Sequence, residues 1–198
     1  MSRFFHNALT RRFIGGSLFA SAAFTFKQRS VRAFEHAEVN EKLVSACKEF
    51  DFGCVELALK SGADPNMEID GIPAILFAIH FTRRVTEKAL ILAHDNSEPE
   101  SMIQIMIRLF KTRTYLEVKP LVEAGADVNA VDNHGQTPLM VACATCNVPL
   151  IEYLLSKGAD VTMCSKNDET AFGFLMLYGI SGPFSEEVSV DLMEKLTP

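Results

Sequence analysis

Acidic side chains are absent from the first 33 residues, which carry Arg3, Arg11, Arg12, Lys27, Arg29 and Arg32. The remainder is poor in basic ones: 13 of the 19 Lys and Arg stand against all 25 Asp and Glu, a net of −12. That balance excludes phosphate-backbone binding, which rests on Lys and Arg neutralising phosphates, so nucleic acid is not an expected partner. Long apolar runs are missing too. The N-terminal one, Phe13–Phe26, has 14 mostly apolar residues and is too short to span a bilayer, so no stable membrane span is expected in the mature chain. No phosphate loop, paired catalytic carboxylates or nucleophile–base set is evident. The five histidines (His6, His36, His80, His94, His134) lie at no metal-binding helical spacing. These absences argue against an enzyme and imply no cofactor. Composition is otherwise that of a globular chain, 48% hydrophobic and 22% charged.

What is present divides the chain into a leader, residues 1–33, and a body, 34–198. A basic start, the short apolar run and a small-residue site at Val31-Arg32-Ala33 fit an export signal cleaved after Ala33. Arg11-Arg12 resembles a twin-arginine signal, although Gly15 stands where that pattern wants a second large apolar residue. No Cys precedes Cys47, so nothing points to a lipid anchor. Periplasmic or secreted localisation is therefore expected. A mitochondrial presequence and a plain N-terminal amphipathic helix on a cytoplasmic protein are the alternatives.

The body repeats itself. Ser61-Gly62-Ala63-Asp64-Pro65-Asn66, Ala124-Gly125-Ala126-Asp127-Val128-Asn129 and Lys157-Gly158-Ala159-Asp160-Val161-Thr162 are one pattern, each preceded by an apolar segment. The second and third glycines are 33 residues apart; the first and second are 63 apart, room for one shortened copy, with Ala93-His94-Asp95-Asn96 as its eroded junction. The Asp- and Asn-rich stretch Glu123–Met140 invites a calcium reading. An EF-hand loop starting at Asp127 fails, however, at Val131, Asp132 and Pro138, where it needs an oxygen ligand, Gly and Glu.

Asp132–Thr162 resembles an ankyrin repeat. Asp132, Gly135, Thr137, Pro138, Leu139 and Ala142 match the family pattern, while Met140 replaces its His and Cys143 its second Ala. Thr137 is a sound N-cap with Pro138 at N1, and Gly62, Gly125 and Gly158 are placed to end helices at positive φ. The resemblance implies an all-α solenoid of stacked helix–turn–helix units with short finger loops. Five units are expected, at about 36–68, 69–98, 99–131, 132–164 and 165–198. The third starts with a first helix at Ser101–Phe110. The last closes with an amphipathic helix carrying Val188, Leu192, Met193 and Leu196 inward and Glu186, Glu187, Asp191, Glu194 and Lys195 outward.

The resemblance further implies a protein-binding module whose partners are one or more proteins. The finger positions carried over are Met67, Glu68, Ile69 and Asp70; Val131, Asn133, His134 and Gln136; and Met163, Lys166, Asn167 and Glu169. First-helix positions Val141, Ala144 and Thr145 add to the groove. Exposed Ile69, Val131 and Met163 are expected to form the apolar part of a hot spot. One alternative is a thiol redox or metal-binding protein using Cys143, Cys146 and Cys164. Against it, Cys143-Ala144-Thr145-Cys146 falls inside the expected helix Leu139–Cys146, where Cys143 fills a small-residue slot. Cys47 and Cys143, three units apart, are too distant to bond, whereas Cys47 and Cys54 fall on one unit's two helices and could pair. Another alternative is a secreted effector acting in a host cell.

Overall fold

The structure, a computed structural model, describes residues 36–49, 51–80, 84, 100–179 and 190–197. The leader, the junction Ala93–Asn96, Val188, Glu186 and Glu187 lie outside the described residues. The elements are α1 (36–49), α2 (Phe52–Lys60), a two-strand finger β1 (Glu68–Ile69) and β2 (Ile72–Pro73), α3 (74–80), α4 (Glu100–Glu123), α5 (Pro138–Ala144), α6 (Val148–Ser156), α7 (Ala171–Phe174), running into a π turn at Leu175–Gly179, and α8 (Val190–Leu196).

Capping chemistry sets where these helices begin and end. Thr137 is extended, and its hydroxyl accepts the Met140 N–H at 3.3 Å, with Pro138 next in the helix. Met140 returns the interaction: its Sδ accepts the Thr137 N–H at 3.4 Å, which accounts for a buried Met at the position of the family's His. Asn147 and Thr170 cap α6 and α7 in the same manner, and Asp51 caps α2. Gly62, Gly125 and Gly158 follow their helices at φ 95°, 98° and 87°, as expected.

The helices form two rows. α2 packs on α4 and α4 on α6, while α5 packs on both α6 and α7, and α7 on α8. The core between the rows holds Leu43, Val55, Ile75, Leu76, Leu121, Leu139, Leu150, Ile151 and Leu154, all buried. In the closing helix, Leu192 and Leu196 are buried and Asp191, Glu194 and Lys195 exposed, as the amphipathic pattern predicts. Among the described residues no helix is long and apolar enough to cross a membrane.

Asparagine side chains tie each turn to the next. Asn40 accepts the Asp64 N–H at 2.9 Å. Asn66 donates to the Gly125 carbonyl at 3.1 Å and accepts from Asp127 N–H at 2.7 Å. Asn129 does the same to Gly158 (3.4 Å) and Asp160 (2.8 Å). At the next position stands Thr162, whose N–H and hydroxyl both donate to Asp160 within its own turn.

These rungs correct the expected division at 98/99. The turn at Gly62–Asn66 bonds directly to that at Gly125–Asp127, so among the described residues no further turn lies between them in the stack. The separate first helix expected at Ser101–Phe110 is instead the start of one 24-residue helix, α4, which packs beside α2 and meets α6 at the Lys111 and Lys119 carbonyls. Ser101–Phe110 continues into Lys111–Glu123 with no Gly at the junction, where the Thr112 and Thr114 hydroxyls donate back to the Arg108 and Phe110 carbonyls, and Pro120 lies in the last turn. Cys47 and Cys143 are therefore two steps apart rather than three, about 16–20 Å at ordinary helix spacing, still far beyond disulfide reach.

Candidate interaction surface of fingers and first helices

The second and third fingers are each folded by one side chain acting on its own backbone. Asp132 Oδ1 accepts the N–H groups of His134 (2.8 Å) and Gln136 (2.9 Å), and the Gln136 carbonyl accepts the Asp132 N–H (3.1 Å). Its other oxygen, Oδ2, lies 3.0 Å from His80 Nε2, on α3 of the preceding unit. Both carboxylate oxygens are thus occupied by the scaffold. Thirty-three residues on, Ser165 Oγ plays the Asp132 part, accepting from Asn167 and Glu169 N–H. The two fingers join through Lys166 N–H to the His134 carbonyl at 3.0 Å. Gly135, at φ 72°, permits this approach, since a Cβ there would lie 3.1 Å from Lys166 N. The first finger turns through Asp70 and Gly71, both at positive φ, a two-residue hairpin of the Asp-Gly kind.

On this frame Glu68, Asp70, Asn133, His134, Lys166 and Asn167 are exposed, Val131 is 45% exposed, and Gln136 and Glu169 are half-buried. Ala144 and Thr145 are half-buried at the end of α5, where the Thr145 hydroxyl donates back to the Val141 and Ala142 carbonyls. Two expected positions are corrected. Ile69 is 1% exposed because the strand pairing with Ile72 turns it into the core, and Val141 is fully buried within α5. Met67 and Met163 are half-buried against the core rather than free at finger tips. The apolar part of the surface reduces to Val131.

The cysteines take no common site. Cys143 and Cys146 are buried, and α5 ends at Ala144, so Cys146 sits past the helix at φ 49°, correcting the expected helix to Cys146. Burial, then the neighbouring Cys146, pushes the Cys143 thiol far up, and burial with the charge of Glu117 pushes Cys47 up to about 12. Such thiols are poor nucleophiles. Cys164 and Cys54 are exposed, and Cys47 and Cys54 are free rather than bonded. Among the described residues no three His, Cys, Asp or Glu are grouped to hold a metal.

Sequence reasoning missed the His80–Asp132 bridge and the asparagine rungs. The rungs had a signal: Asn falls four residues after Gly at 62 and 125 but not at 158. His80 had none.

A two-row stack of helix pairs, tied at its turns and displaying hairpin fingers, defines a helical-repeat scaffold. The chain belongs to the ankyrin-repeat family: the family described as "Ankyrin repeats (3 copies)" matches residues 43–165. It is 49% identical over 61 residues to rat "Ankyrin repeat and SAM domain-containing protein 6", covering 30% of this chain and 7% of that protein. It is 26% identical over 158 residues to the "Putative ankyrin repeat protein R96" of Acanthamoeba polyphaga mimivirus, covering 78% of this chain and 15% of that one. "Protein lin-12" of Caenorhabditis elegans is 44% identical over 55 residues, 28% of this chain and 4% of its own length. The chain thus spans a small part of each of these relatives. Ankyrin-repeat domains are generally protein-binding modules without enzymatic activity.

Proposed function

We propose that the chain is a non-enzymatic adaptor or inhibitor that binds a protein through its fingers and the groove they share with the first helices. The observation that carries this reading is the finger Val131–Gln136. Its backbone is fixed by Asp132 from within, by His80 behind and by Lys166 ahead, while Asn133 and His134 are exposed. Such preorganisation lowers the ordering cost of binding. The contact set is Glu68, Asp70, Val131, Asn133, His134, Gln136, Lys166, Asn167 and Glu169, with Ala144 and Thr145 from α5. Affinity capture with mass spectrometry tests it. A stoichiometric partner is expected for the wild type and lost with N133A/H134A/K166A; equal recovery by both proteins sinks the assignment.

The leader supports export, with action in the periplasm or outside the cell. Intact-mass measurement of the native protein is expected to show loss of residues 1–33. A full-length mass refutes cleavage after Ala33 and favours an effector or cytoplasmic protein that keeps its leader.

A further inference from the structure

Helix α4 is amphipathic in the reverse sense. Its inward side buries Thr114 and Glu117 beside Val118 and Leu121. Its outward side follows a spacing of three and four residues, Ile105, Arg108, Leu109, Thr112, Arg113 and Leu116, and is exposed throughout. Ile105, Leu109 and Leu116 are 56%, 63% and 42% exposed. The stripe runs for three turns, about 16 Å. At 24 residues, α4 outruns its nine-residue neighbours α2 and α6, so the N-terminal part of the stripe extends past them. Three large aliphatic side chains in one helical line on an exposed face mark a contact surface.

We propose that this stripe docks an amphipathic helix of another protein, with an apolar ridge flanked by Asp or Glu. Charge selects that occupant. The stripe carries Arg108 and Arg113 and no acid, on a body of net −12. Arg113 is shared with Glu117, its Nε 3.6 Å from Oε1, while the side chain stays 45% exposed. A second copy is disfavoured. Paired antiparallel about the middle of the stripe, Arg108 meets Arg113 of the copy; paired parallel, each meets its own copy. The leader, with six basic residues and no acid, meets the same repulsion. An anionic membrane attracts the stripe but repels the acidic body over a wide area, whereas a peptide touches the stripe alone. The site is separate from the fingers and stands or falls independently of them.

The probe is a fluorescent 16-residue helical peptide of leucine at three- and four-residue spacing with glutamate elsewhere, titrated with the full chain. Saturable micromolar binding is expected, weakened at least tenfold by L109E and by R108E, weakened by added salt, and unchanged by H134A. R108E lies at an exposed position and guards against misfolding of L109E; circular dichroism checks both. Four outcomes overturn the proposal: no saturable binding, binding indifferent to both variants, stronger binding to phosphatidylserine vesicles than to the peptide, or self-association abolished by L109E.

Discussion

Glu117 is a carboxylate in a place built for a leucine. Burial pushes it up to about 7 against the opposing pull of Arg113, and among the described residues Oε1 has no hydrogen-bond partner. Between about 4.5 and about 7 the folded chain holds a proton that the unfolded chain has released, so stability falls as pH rises through that window. E117Q removes this fall. The variant should exceed wild type by about 4–8 °C in thermal midpoint at pH 8, on the order of 2 kcal/mol, and match it at pH 4. Parallel pH profiles for the two proteins contradict the assignment. Asn129 offers a second test: N129A leaves the Gly158 carbonyl and Asp160 N–H without it, at a cost of about 1–3 kcal/mol by urea denaturation. T162A, which removes only the hydroxyl's bond to Asp160 within one turn, should cost clearly less, and equal losses dismiss the rungs as structural ties. Little of this was legible in the sequence. Asp132 and Gly135 read correctly as turn formers because their chemistry is local. Ile69 did not, because strand pairing with Ile72 decides which way a finger residue faces.

Helix α4 shows where reading by element fails. Thr137-Pro138 and the three glycines carry their own stop and start signals, so α5, α6 and the turns were legible. Residues 101–123 carry no Gly, and the cap-type residues Thr112 and Thr114 donate back to the Arg108 and Phe110 carbonyls instead of starting a new helix, so the break suggested by the other units is not made. Pro120 lies inside the last turn of α4, where it removes one backbone N–H from the ladder. P120A should therefore raise stability by about 1–3 kcal/mol in chemical denaturation. An unchanged or lowered midpoint places the proline's packing above its backbone cost.

In the whole molecule, each unit covers the next, and α7 with α8 covers the last. Buried Phe174, Leu175, Leu192 and Leu196 belong to that cover. A chain ending at Cys164 bares the face of α5 that α7 occupies. It should lose its cooperative thermal transition and bind a hydrophobic dye, since terminal units of a stack need a polar outer face. A sharp transition at the wild-type midpoint shows the cap to be dispensable. The fold class was legible because a repeat states itself more than once; the number of steps was not, because the bond that settles it joins residues 61 apart.

That bond from Asn66 to Asp127 has a consequence for how such chains can grow. The path from one turn to the next is 63 residues here and 33 in the following step. Chain-closure entropy rises only with the logarithm of length, so nearly doubling the path costs about 0.6 kcal/mol. A single net hydrogen bond contributes about 0.5–1.5 kcal/mol, and Asn66 makes two across this gap. New sequence can therefore accumulate between the helices of one unit without loosening the turns on either side, leaving room for a helix such as α4 to acquire a face of its own.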